Sequence, residues 1–565
     1  MSESELNVLD AFKTGEVPHI KPEVPCPSRS WPRIPAGPER LEQLLSLWFA
    51  ELPDHRKDSL RAFLSDADVQ DLMSVGTFCS GTDCAILVLQ SFLKAASKTL
   101  NIEDIELNHV FSCESNVAKQ TFLKDFYQMK TLHTDACEPI SDPAGIVSAG
   151  FPCDDASQLH PRSSTYAHRL CGSLRTGSVF RSIAGYLAES ETCQVFQFEN
   201  VMSLAAKPKP KPTKDSDGKK GGPSGPSNLS ACCYILDKQA GMWSHCWALD
   251  SREHFGSGQQ RQRLYGSCFK KKDLAMTLDA AHKVLNETMN FLAGVSPCDP
   301  EEYLLAESSD VIKAERSVQA LRALDEAEFL VSTTGGKSLC ISALFRTNGT
   351  LPGALRHTGH KRKLKAVPSD SSPGQAKWKR DHAYAFRALG EETLCERCSF
   401  QRPSNALEEA FPALSTLTQR QLELLRLKGI TFPDFDVFKV IDLSQNLSFS
   451  AISENKVPCI TPDGAKFLTK QVRYHTGLES LRFQGIYLNE QVLAKYTSGF
   501  LQDLAGNAFE TSTLAANMVC NFIYLAENHR CKGRALSVST SLPLTPPGGV
   551  EPGEDSDSDF ALPLI

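Results

Sequence analysis

The sequence predicts an α/β protein built on a doubly wound sheet, and two observations carry that expectation. From about residue 74, short β-rich runs alternate with helical runs: "SVGTFC" precedes "AILVLQSFLKAASKTL", "HVFSCE" precedes "NVAKQTFLKDFYQM", and "GIVSAGF" precedes "GSVFRSIAGYLAES". Alternation of this kind argues for parallel strands joined by crossover helices. The second observation is where the chemistry-bearing residues fall. A Gly-containing turn follows "GTFC", Glu114 ends "HVFSCE", Cys153 follows "GIVSAGFP", and Glu199 ends "CQVFQFENV". Ligands of open α/β sheets bind at that strand edge.

The elements follow in order. Residues 1–37 are rich in Pro and polar side chains and are expected to be disordered. Residues 38–71 read as a helical lead-in through "ERLEQLLSLWFAEL" and "RKDSLRAFLSDADVQDL". The α/β unit covers 72–271, broken at 206–228 by a Pro/Lys then Gly/Pro/Ser stretch that reads as a flexible insertion. Residues 272–470 are less regular and carry the basic run "RHTGHKRKLK"; helical pattern returns over 471–533, and 534–565 form an acidic, Pro- and Ser-rich tail expected to be disordered.

Composition narrows the class. With 565 residues the chain exceeds one compact core. No apolar run reaches about 18 residues, so no membrane partner is expected, and the opening "MSESELNVLD" has no secretory character. The 19 cysteines lack the spacing of a disulfide scaffold and are expected to be reduced thiols. A net charge of −7 speaks against a wholly basic nucleic-acid coat but leaves room for a local basic groove. Cys395 and Cys398 make a single Cys-x-x-Cys with no second pair, so no metal is expected.

Taken alone, Cys153 is either a small buried filler or a nucleophile. Gln259, Arg261 and Arg263 alternate in "GQQRQRLYGSCF", a spacing that would put all three on one face of a strand. These pieces, in this order, resemble the cytosine carbon-5 DNA methyltransferase family. Its Pro-Cys motif matches Pro152-Cys153 and its Glu-Asn-Val motif matches Glu199-Asn200-Val201. The Gln-x-Arg-x-Arg motif matches Gln259, Arg261 and Arg263, a motif after the catalytic loop matches Thr176–Phe180, and the late Gly-Asn motif matches Gly506-Asn507. The resemblance covers roughly 72–270 and 458–530.

The resemblance implies a Rossmann-like class I methyltransferase sheet with an inserted target-recognition domain. It implies Cys153 as nucleophile, Glu199 as the carboxyl on the ring nitrogen, Arg263 on the base carbonyl and Arg261 orienting Glu199 or a phosphate. Pro152, Asn200 and Gln259 have supporting roles. It implies S-adenosylmethionine as donor, held by Phe78, Cys79, Ser80, Gly81, Glu114, Asp135, Asn507 and Ala508. DNA is the implied partner, with a flipped base; the nucleus is the expected place of action, with the cytoplasm left open. One branch of the family acts on tRNA, which stays open, as does a catalytically weak DNA-binding paralogue. Arg356, Lys361, Arg362 and Lys363 are the candidate phosphate contacts. Two departures stand out: Asp83 replaces the second Gly of the Gly-x-Gly turn, and Asp154 follows the nucleophile.

Overall fold

The computed structural model describes residue 17 and residues 19–153, 175–206, 227–317, 381–382, 385, 417–428, 437–448, 450 and 452–540. The phosphate-contact candidates Arg356, Lys361, Arg362 and Lys363, the loop residue Asp154, Cys395 and Cys398 lie outside the described residues.

Seven strands form the main sheet: β1 (Ser74–Phe78), β2 (Asn108–Cys113), β3 (Thr131–His133), β4 (Ile146–Ala149), β5 (Val195–Asn200), β6 (Met242–Asp250) and β7 (Gln262–Lys270). Their order is β3-β2-β1-β4-β5-β7-β6. The first five run parallel, while β7 is antiparallel to both β5 and β6. This is a doubly wound, Rossmann-like sheet, with one reversed strand where the alternation predicted parallel strands. The reversal matters for function. An antiparallel β7 brings its first residues to the edge where β4 and β5 end.

Helices cover both faces, which is why β4 and β5 read as continuous buried runs. One face carries α1 (Arg40–Glu51), α2 (Asp54–Leu64), α4 (Cys84–Leu100), α5 (Val117–Phe126), α9 (Leu278–Leu292) and α14 (Thr511–Thr540). The other carries α6 (Arg175–Glu189) and α7 (Asn228–Ala240). The remaining short helices are α3 (Ala67–Leu72) and α8 (Ser251–Phe255). Local chemistry explains the boundaries. The Asn116 side chain accepts from Ala118 N and Lys119 N to start α5. Gly241, at φ +61°, ends α7 in the left-handed conformation.

A four-stranded antiparallel sheet, ordered β11-β10-β8-β9, is made by β8 (Lys439–Asp442), β9 (Ile452–Glu454), β10 (Lys466–Leu468) and β11 (Arg473–Tyr474). It is preceded by α10 (Gln419–Leu427) and followed by α11 (Gly477–Phe483), α12 (Glu490–Leu493) and α13 (Ser498–Asn507). α11 starts with a Thr476/Glu479 capping box.

Three observations depart from the sequence expectations. Residues 19–37, expected to be disordered, strap the sheet edge: Glu23 N donates to Cys246 O at 2.9 Å, Ala248 N donates to Glu23 O at 2.7 Å, and Trp31 is buried. The strap covers an otherwise open edge strand. Helix α9 falls within the span read as target-recognition region, yet its Leu285, Met289 and Leu292 belong to the main core beside α14. Helix α14 continues to Thr540, past the expected start of the tail. Among the described residues no helix is long and apolar enough to cross a membrane.

Candidate active site

The expected residues converge on the C-terminal edge of the main sheet. Cys153 is half-buried, four residues past the end of β4. On the neighbouring strand, Glu199 is buried and Asn200 closes β5. The Asn200 side chain donates to Phe151 O at 3.1 Å, so it fixes the backbone just ahead of Pro152-Cys153. β7 pairs Leu264 with Asn200 and Tyr265 with Glu199, which delivers Arg263 beside the carboxylate. Arg263 Nε stands 3.1 Å from Glu199 Oε1 and Arg261 Nη2 stands 3.5 Å from it.

The two arginines do different work. β7 begins at Gln262, so Gln259 and Arg261 precede the strand and do not share a strand face with Arg263, as their alternation suggested. Arg261 is buried and reaches across to the chain's late segments. Its Nη2 donates to Ala508 O at 2.8 Å, and Nη1 reaches Ile460 O at 3.3 Å and Gly506 O at 3.4 Å. It joins the catalytic edge to the end of α13, where Gly506 is pressed so closely on Pro462 that a Cβ would lie 2.3 Å from its nitrogen. Arg263 is less buried and faces the site. Burial opposes its charge, but Cys459 and Glu199 more than offset this and raise the guanidinium above its ordinary pKa. Gln259 is fully buried, with both side-chain polar atoms unpartnered among the described residues; its backbone pairs with Val457 across an isolated bridge.

Between β1 and β4 lies a cavity open to solvent, lined among others by Thr77, Ser80, Ser148, Gly150, Asn507 and Phe509. Its floor is the turn after β1, where Cys79 (φ +53°), Gly81 (φ +55°) and Asp83 (φ +48°) are all left-handed. Glu114 holds that turn: its Oε2 accepts from Gly81 N at 3.0 Å and its Oε1 from Asn116 N at 2.8 Å. Phe78 is buried beneath, and Ser80 Oγ bonds Thr77 Oγ1 at 2.6 Å. Ala508 is buried at the far wall. Asp135 and Glu114 stand at the ends of β3 and β2, outside the cavity lining. Asp135 Oδ1 accepts from Cys137 N at 2.8 Å, and exposed Asn507 bonds Asp503.

The cavity fits the implied donor on two grounds. Its lining brings together the left-handed turn after β1 and the residues of the late motif, and Ser148 Oγ on its wall is buried without a hydrogen-bond partner among the described residues. Asp83 is not available to that donor. Its carboxylate accepts from Thr77 Oγ1 at 2.7 Å and Ser112 Oγ at 2.6 Å and has no exposed surface.

Sequence reading missed Cys459, whose sulfur lies 3.1 Å from Arg263 Nη2. Its only signal was a Pro-Cys pair, Pro458-Cys459, one of four such pairs in the sequence. It also missed Ser148 and Phe509, whose place in the cavity depends on tertiary packing.

No family model matches the chain. A 95-residue stretch, 17% of this chain, is 33% identical to a DNA (cytosine-5-)-methyltransferase, DMT5, from Verticillium dahliae; the match spans 4% of that relative's length. Solved structures resembling the chain include the Dnmt2 methyltransferase of S. pombe, at 12% identity and TM-score 0.34, covering 80% of this chain and 98% of that one. The methyltransferase EhMeth of Entamoeba histolytica stands at 11% identity and TM-score 0.37, covering 80% and 97%. The ordered motifs, their meeting at one sheet edge and the 95-residue sequence match all point toward the cytosine carbon-5 methyltransferases, to which this stretch of the chain is similar.

Proposed function

We propose that the chain transfers a methyl group from S-adenosylmethionine to carbon-5 of cytosine in DNA, through a covalent Cys153 adduct on a flipped base. The observation that carries this reading is the meeting of Cys153, Glu199 and Arg263 from β4, β5 and β7 beside the cavity that Gly150 and Ser148 line. Cytosine carbon-5 is a weak nucleophile. The Cys153 thiolate adds at carbon-6, and the electron pair of the 5,6 double bond becomes available at carbon-5. Glu199 bonds the ring nitrogen and Arg263 the carbonyl, stabilising charge that develops during addition. When bound, the donor would supply an electrophilic methyl, and the residues that would hold it are Phe78, Cys79, Ser80, Gly81, Glu114, Asp135, Asn507 and Ala508. Carbon-5 takes the methyl, then loses its proton to a base. The sulfur–carbon bond breaks and the thiolate returns. The basic run with Arg356, Lys361, Arg362 and Lys363 contacts phosphates, and the protein acts in the nucleus.

The test uses DNA carrying 5-fluorocytosine, which has no carbon-5 proton to lose. With donor present, the full chain should form a denaturant-stable adduct that Cys153→Ala abolishes while donor binding persists. A parallel reaction with 5-fluorocytosine tRNA separates substrates: trapping there alone replaces DNA by tRNA. Binding of donor and DNA without any trapping would favour the non-catalytic paralogue.

A further inference from the structure

Cys459 lies between two guanidinium groups. Arg263 Nη2 is 3.1 Å from its sulfur and Arg261 Nη1 is 3.7 Å away. The other charged group acting on it is Lys466, from β10. Cys298 provides a contrast within the same molecule. Arg40 Nη1 is 2.8 Å from the Cys298 sulfur, but that thiol is buried and donates to Ile34 O at 2.8 Å. An S–H bonded to a carbonyl is a thiol. Cys459 is half-buried, and its sulfur lies 3.6 Å from Ile460 O, a loose contact beside two charged donors.

We infer that Cys459 is a positioning residue, an anionic sulfur that pins Arg263 against Glu199. The inference deepens the proposed function, because Arg263 is the group assigned to the base carbonyl. The geometry gives each Arg263 nitrogen one task. Nη1 donates to Gln262 O at 2.8 Å, Nη2 meets Cys459, and Nε faces Glu199 at 3.1 Å. With the two outer nitrogens held, the guanidinium plane cannot swing away from the carboxylate. A negative sulfur also balances a site in which two guanidiniums face a single carboxylate, Glu199. Burial pushes the Cys459 thiol up, but Arg263 and Arg261 more than offset it, so its pKa falls below the ordinary thiol value. A neighbouring arginine is one of the settings that lower a cysteine's pKa.

The experiment measures the pH dependence of iodoacetamide alkylation on the full native chain, peptide by peptide, by mass spectrometry. Cys26 and Cys137, both exposed, serve as reference thiols. Cys459 should show a midpoint below theirs, and Arg263→Gln should raise it toward them. A Cys459 midpoint equal to or above the references, failure of native Cys459 to react at all, or no change on Arg263→Gln overturns the inference. Should Arg263→Gln not fold, the wild-type midpoint decides alone. In the 5-fluorocytosine assay, Cys459→Ser should slow trapping about tenfold with donor affinity unchanged, and Cys459→Asp, which keeps an anion, should recover part of the loss. Alkylation needs no methyl transfer, so a shifted midpoint in a chain that never traps would sink the catalytic reading and leave the charge assignment standing.

Discussion

Replacing Arg261 by alanine tests whether the catalytic edge and the late motif are one unit. The side chain is buried and donates to Ala508 O at 2.8 Å, with longer contacts to Ile460 O and Gly506 O. A hydrogen bond from a charged group contributes about 1.5–3 kcal/mol, and only the Ala508 bond is short enough to count in full. The variant also leaves three carbonyls short of a donor and removes one positive charge facing Glu199 and Cys459. Together these put the loss at about 3–5 kcal/mol, the range for breaking a buried charged contact from one side. Ala508 and Asn507 line the donor cavity, so freeing them should weaken donor binding as well. Urea unfolding followed by fluorescence measures the first effect and titration calorimetry the second. Arg261→Lys should rescue little, since a lysine cannot span carbonyls at 460, 506 and 508 with one ammonium. A loss under about 1 kcal/mol with donor affinity intact would refute the clamp.

Glu114→Ala removes the acceptor of Gly81 N and Asn116 N, and should weaken donor binding by about tenfold or more while DNA affinity is unmoved; calorimetry with each ligand checks it. Neutralising Lys361, Arg362 and Lys363 together should lower affinity for all DNA sequences alike and flatten the salt slope, and an unchanged slope removes them from the interface. Stability should also fall on acidification from pH 7.5 to 5.5. Burial lowers His109 and His475 to about 4 and His245 to about 3, so over this window the unfolded chain takes up protons these groups refuse when folded, costing about 1.4 kcal/mol each. Burial raises Asp83 to about 7, which opposes the trend by about 2 kcal/mol because the folded chain binds that proton first, leaving a net loss of about 2 kcal/mol. A urea midpoint that rises toward pH 5.5 would show the sign to be wrong.

Much of the fold was legible because the pattern was local. The runs "SVGTFC", "HVFSC", "GIVSA" and "CQVFQFEN" became β1, β2, β4 and β5, since strands buried on both faces must be continuously apolar. Strand direction was not legible. Nothing in "RLYGSCF" distinguishes a parallel strand from the reversed β7, whose direction is set by pairing with β5 and β6. The strap 19–37 was hidden because its order comes from bonds to Cys246, Ala248 and Asn290, more than 200 residues away. In the site, residues tied to a strand end (Cys153, Glu199, Glu114) could be placed from the sequence. Arg261 could not: its spacing suggested a shared face, but its partners come from the 460 and 506–508 segments. Cys459 was illegible for the same reason.

Asp83 shows how a departure from a family pattern can be absorbed. A left-handed conformation suits glycine, and a residue with a Cβ held at φ +48° gives up about 1–2 kcal/mol. Asparagine and aspartate bear that strain best because a short polar side chain can bond nearby. Here the bonds are specific. Thr77 Oγ1 and Ser112 Oγ donate to the two carboxylate oxygens at 2.7 and 2.6 Å, and Ser112 Oγ in turn meets His109 Nε2 at 2.9 Å. The aspartate therefore stitches β1 to β2 beneath the turn, where a glycine would leave Thr77 and Ser112 to find other partners. Its burial keeps the carboxyl near half-protonated at neutral pH, so it places less than a full negative charge under a cavity that has to accept a donor carboxylate. The substitution changes what bonds the turn and leaves its left-handed course in place. Gly81 N keeps its bond to Glu114 Oε2 at 3.0 Å, so the turn stays tied to the end of β2.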